Sequence, residues 1–172
     1  LVYPTSYFPF KYAQHLGLLL PSLTQLVVFG TLFLLAFDFP ATLDLSFGTA
    51  MMALVSMTVE NLLYFLLCFP IQLVAFWADN VWSVLVLFRL VSSLLGGLLI
   101  PLALFPEAAH QILAYTPFPL LYAVPVNTLM GNVPPAEWAA NVAIALVWCV
   151  TISGVTWIVW QRGRHHYTGV GI

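Results

Sequence analysis

Two charged side chains, Glu60 and Arg89, stand inside otherwise apolar runs of this 172-residue sequence. A charge near the middle of a membrane helix costs about 2.5 to 3.5 kcal/mol on insertion scales, so such a residue finds a partner, lines a passage or reaches for an interface. Counted at about 1.5 Å per residue from helix ends expected at Phe69 and Val81, Glu60 and Arg89 lie about 14 and 12 Å from the same face. They are expected to pair, fixing or switching the packing of two spans or lining a polar passage. The plainer alternative has Arg89 snorkelling to its own interface and Glu60 carrying a proton.

Other residues with chemical potential lack the company their chemistry needs. Glu107 and His110 have the three-residue spacing of a di-iron helix, yet a second such helix and further carboxylates are missing. His165 and His166 are adjacent and would point to different faces, so no metal site is expected. Ser153, in TISGV, lacks a G-x-S-x-G context and reads as a packing residue. There is no G-x-x-x-x-G-K-[ST] loop to cradle nucleotide phosphates. The sequence thus offers no catalytic residue, no metal and no cofactor of its own; if ATP drives this chain, another chain binds it together with Mg.

The elements that must hold these residues are membrane helices. Hydrophobic residues make up 62% of the chain and charged ones 6%, against about 25% charged in soluble domains. Net charge of −2 argues nothing about nucleic acid, but no basic patch carries interleaved aromatics, so membrane lipid and not nucleic acid is the expected partner. Cys68 and Cys149 fall within apolar segments and read as buried, inert thiols. The chain opens at Leu1 with no charged n-region, so no signal peptide is expected and a fragment of a longer chain is.

The apolar pattern predicts an all-α polytopic bundle of four spanning helices, 16–37, 47–69, 81–105 and 138–160, with a re-entrant helical hairpin at 106–131. Residues 1–15 form a cytoplasmic loop in this reading and 161–172 a cytoplasmic tail. Pro70 is expected to end the second span. Ser92 with Gly96 and Ser93 with Gly97 form small-xxx-small pairs that let another helix approach closely. Pro101, Pro106, Pro117, Pro119 and Pro125 then break the run into two short helices, Glu107 to Thr116 and about Leu120 to Met130, too short to span. Gly131 and Asn132 supply a stop, and Pro134 and Pro135 suit the first turn of the last helix. With the hairpin returning to the face it left, Lys11, Arg162 and Arg164 share the cytoplasmic side, as the positive-inside bias requires.

From Phe76 onward the text AFWADNVW, GGLLIPLALFPEAAHQIL, TPFPLLYAVPVNTLMG and the tail QRGRHHYTGVG resembles the type-2 membrane domains of ATP-binding-cassette exporters, in particular bacterial permease subunits encoded apart from their ATPase. The resemblance covers the whole chain loosely and residues 76–172 well. It implies six spans at full length, of which an entry helix and two spans are absent here. It also implies an inner-membrane permease working by alternating access, with an ATP-binding-cassette subunit and a second permease subunit, in a homo- or heterodimer, as partners. Tyr12 and His15 become candidates for the ATPase contact, Gly96, Gly97 and Pro101 for close packing and bending, and Pro106, Glu107 and Phe118 for an outer gate. Hydrophobic or amphipathic cargo fits the apolar path. A non-transporting scaffold, or an intramembrane enzyme using Glu60 or His110, is the alternative.

Overall fold

The computed structural model describes residues 7–37, 46–78 and 80–163. Expectations for Arg164, His165 and His166 fall outside them. Every regular element among the described residues is helical. Leu1–Leu43 and Asp44–Ile172 form two compact units.

The first unit carries α1, Tyr7–Ala36, a helix of 30 residues with Pro21 inside it. The expected loop over 1–15 is corrected here, because the helix already runs from Tyr7. Pro9 falls in the first turn, where a backbone donor has no helical partner to lose. Lys11 Nζ lies 5.8 Å from the centre of the Tyr7 ring, and Tyr12 and His15 stack one turn apart with ring centres 6.3 Å apart.

The second unit is built around α2, Phe47–Leu73, prolonged by a 3-10 turn, Val74–Phe76. Ser46 caps its start, accepting from the Thr49 N–H at 3.2 Å. Contrary to expectation, Pro70 does not end the helix but lies within it. A proline at membrane depth is tolerated when neighbouring groups meet the freed carbonyl. Thr49, Ala53, Ser56 and Leu63 are buried along one stripe of α2, spaced as a helix-packing seam requires.

That seam meets α7, Pro135–Gly163, against which α2 makes its most extensive packing. Ala145, Cys149, Ile152 and Thr156 are the matching buried stripe of α7, mostly small side chains that allow close approach. The two helices run parallel. Trp138 near the start of α7 touches Met52 and Ser56 near the start of α2, while Trp160 and Gly163 at its end meet Phe76.

Because α2 and α7 point the same way, the chain between them must climb back. The return is made by α3, Trp82–Leu95, whose 14 residues cover about 21 Å of the roughly 30 Å a bilayer core requires. The expected span 81–105 is therefore corrected: helix stops at Leu95, Gly96 caps it, and Gly97 adopts φ +87°, a left-handed conformation that favours glycine. Three helices, Tyr7–Ala36, Phe47–Phe76 and Pro135–Gly163, are long and apolar enough to cross a membrane, with α3 as a shorter apolar helix.

After a 3-10 turn at Leu102–Leu104 come α4, Glu107–Leu113, α5, Phe118–Leu121, and α6, Ala123–Leu129. The second short helix expected at Leu120 to Met130 is split at Tyr122, which has φ −136° and ψ −56°. Proline sets the boundaries: Pro106 and Pro117 occupy the caps of α4 and α5, Pro119 sits in the first turn of α5, and Pro135 opens α7. At the end of α6, Gly131 has φ +75°, and the Asn132 N–H donates to the Asn127 carbonyl at 2.9 Å, closing the helix stop expected there.

Candidate functional site

The segment from Gly96 to Gly131 is pinned where its backbone is broken. The carbonyl of Gly96 accepts from the Ala123 N–H at 3.2 Å, tying the end of α3 to the start of α6. The Tyr115 carbonyl, just beyond α4, accepts from Trp148 Nε1 at 3.1 Å. Trp148 lies 13 residues into α7, about 20 Å along its axis, whereas Asn132 returns the chain to the start of that helix. The segment therefore dips deep beside α7 and comes back, as irregular backbone at membrane depth does when protein satisfies its polar groups.

Gly96 is a point of close approach in this seam. A Cβ there would run into the Tyr122 ring and lie 2.6 Å from the Ser92 carbonyl oxygen and 2.7 Å from that of Phe118. Ser92 is fully buried and donates to the Arg89 carbonyl at 3.1 Å. Thus Ser92 and Gly96, one turn apart, receive the re-entrant segment at Phe118, Tyr122 and Ala123. Ser93 bonds back within its own helix to Leu90, and a Cβ on Gly97 would meet Leu102 and Ala123.

Glu60 and Arg89 are separated by this arrangement. Arg89 lies on the exposed side of α3, whereas Glu60 is half-buried on α2 and faces a partly open cavity of about 10 Å³ between α2, α5, α6 and α7. Among the described residues no ion pair joins them, although the charges of both reach Tyr122. The cavity has polar walls from Ser56, Glu60 and Asn141, and apolar walls from Val59, Val124 and Val142. Its volume holds about one water molecule. Trp138 Nε1 donates to Ser56 Oγ at 2.9 Å and to the Met52 carbonyl at 3.1 Å, leaving the Ser56 hydroxyl hydrogen free to turn towards the cavity.

Sequence reasoning singled out Glu60 but not the Ser56, Tyr122, Trp138 and Asn141 that the structure places near it. The signal was present: Ser56 precedes Glu60 by four residues, which puts both on one helix face, and Asn141 is a polar interruption in a long apolar run. Pro101 and Pro106 are exposed, Glu107 is exposed in the first turn of α4, and Phe118 is half-buried at the start of α5. Among the described residues no group of three or more His, Cys, Asp or Glu side chains is placed to hold a metal.

A family model described as ABC-2 family transporter protein matches residues 3–171. No curated protein matches the chain, and no solved structure does.

Proposed function

The chain belongs to the ABC-2 transporter family, and from that membership as a membrane transport component we propose that it is the permease subunit of an exporter whose ATP is hydrolysed by a separate ATP-binding-cassette subunit. The family match across nearly the whole chain carries this reading. Cargo is hydrophobic or amphipathic, and it passes by alternating access between this chain and a second permease subunit in the bacterial inner membrane.

The architecture supports that role in two ways. The parallel pair α2 and α7 provides a continuous block, joined by buried side chains that are small along the first part of α2 and along most of the α7 stripe. Beside it, the segment from Gly96 to Gly131 is held by hydrogen bonds at its breaks and bounded by two glycines with positive φ. Rocking of the block against this segment would open and close one end of a passage, with Pro101, Pro106, Glu107 and Phe118 at the gate. The stacked pair Tyr12 and His15 near the start of α1 is the contact offered to the ATPase.

Co-purification with an ATP-binding-cassette subunit, and ATP turnover that rises with cargo, is the expected result. An ATPase that binds but ignores every amphiphile added would make the chain an anchor rather than a permease. The topology has its own test. A cysteine replacing Asn132 should react with an impermeant thiol reagent applied to intact cells, and labelling only after permeabilisation would reverse the orientation.

A further inference from the structure

The polar cavity identifies a class of cargo. Glu60 has no ion pair, and neither its carboxyl group nor the Asn141 amide has a hydrogen-bond partner within the protein among the described residues. In a membrane segment a carboxylate without a partner is unfavourable by several kcal/mol and is therefore met by a proton, a water or a bound cation. Arg89, the nearest candidate on α3, lies on the exposed side of its helix. Tyr122 is the ionisable group that shares the field of Glu60 from the re-entrant segment, and α7 contributes the neutral Asn141. None of these supplies a counter-charge.

Size and walls narrow what does. A space for one water-sized group admits a primary ammonium head and excludes a quaternary one. Around it, Val59, Val124 and Val142 present hydrocarbon, and the partly open side leaves room for an alkyl tail to continue outward. We propose that Glu60, with Asn141 and Ser56, binds the primary ammonium head of an amphiphilic amine, so that single-chain cationic amphiphiles are the cargo class selected by this permease. This rests on the permease reading given above. In the bound state the three ammonium hydrogens are shared among the Glu60 carboxylate, the Asn141 carbonyl oxygen and Ser56 Oγ, which already accepts from Trp138.

Binding is measured on the purified full chain in a neutral detergent, without any ATPase, as the shift of its thermal unfolding midpoint with dodecylammonium. A dose-dependent rise is expected, absent with 1-dodecanol, which lacks the charge, and with dodecyltrimethylammonium, whose head exceeds the cavity. Glu60→Gln should weaken dodecylammonium binding at least tenfold, about 1.4 kcal/mol. An equal rise in that variant, or with the alcohol, would overturn the proposal. So would a midpoint that follows pH with no response to the amine, since a proton would then be the occupant. If Glu60→Gln does not fold, Val124→Leu fills the cavity and keeps the carboxylate; it should lose the response, and retaining it overturns the proposal equally. Failure here with intact, cargo-stimulated ATP turnover removes the amine site alone, whereas loss of ATPase association removes the permease reading.

Discussion

The long pair α2 and α7 and the broken segment from Gly96 to Gly131 are both apolar, yet they are held in different ways. A continuous helix satisfies its own backbone, so α7 needs from its neighbour only a stripe of contact, and residues such as Val147 and Val150 remain widely exposed. A chain interrupted at Gly96, Phe105, Tyr115 and Tyr122 leaves donors and acceptors that no internal turn can meet. Neighbours meet some of them: Ala123 at Gly96, and Trp148 at Tyr115. Leu121 and Thr128 are fully buried as a result. Apolar composition puts both regions in the membrane, but backbone continuity decides which one depends on its surroundings.

If that is the difference, the largest effect belongs where broken backbone comes closest to α3. Gly96→Leu must displace backbone at Ser92 and Phe118 as well as the Tyr122 ring, and overpacking that backbone cannot relieve should lower stability by about 3 kcal/mol. Gly154→Leu is the counterpart on α7, where a Cβ meets nothing within 4 Å, and its effect should stay within about 0.5 kcal/mol. Unfolding of both variants in mixed micelles against increasing denaturing detergent measures the contrast. Equal losses would show that the long helix is packed as tightly as the break.

A smaller effect is expected from removing volume rather than adding it. Leu121→Ala opens a hole at a fully buried position of α5 and should be destabilising by about 2 to 3 kcal/mol. Val150→Ala, at a position of α7 that is 75% exposed, should fall within about 0.5 kcal/mol in the same assay. The pair sharpens the comparison because both substitutions remove apolar atoms. Only the place differs.

Much of this difference is legible in the sequence because proline and glycine act locally. Pro106, Pro117, Pro119 and Pro135 mark helix starts, and Gly131 marks a stop, since each acts through its own φ or missing donor. What is not legible depends on neighbours. Pro70 looks like a breaker and is carried inside α2, because a helix already long enough loses one bond without ending. The end of α3 at Leu95 was hidden by apolar residues that continue to Phe105; Gly96 and Gly97 read as packing residues, and nothing in the apolar pattern marks the left-handed turn at Gly97 that follows the helix. Glu60 and Arg89 were matched by depth along their helices, which says nothing of azimuth. The structure turns Arg89 outward and Glu60 towards α7, so equal depth did not make them partners.

The smallest effect tests the long pair itself. Trp138 Nε1 ties the start of α7 to α2 through Met52 and Ser56, and Trp138→Phe removes both donations while keeping most of the ring. The Ser56 hydroxyl can turn elsewhere and the Met52 carbonyl lies within a helix, so neither acceptor is left stranded as a broken backbone group would be. Hydrogen bonds between membrane helices contribute about 0.6 kcal/mol on average and reach about 1.7, which puts the expected loss near 1 kcal/mol in the same unfolding assay. A loss as large as that of Leu121→Ala would mean that the stripe of small side chains does not hold α2 and α7 together unaided. The two regions would then differ in backbone continuity without differing in how they are fastened.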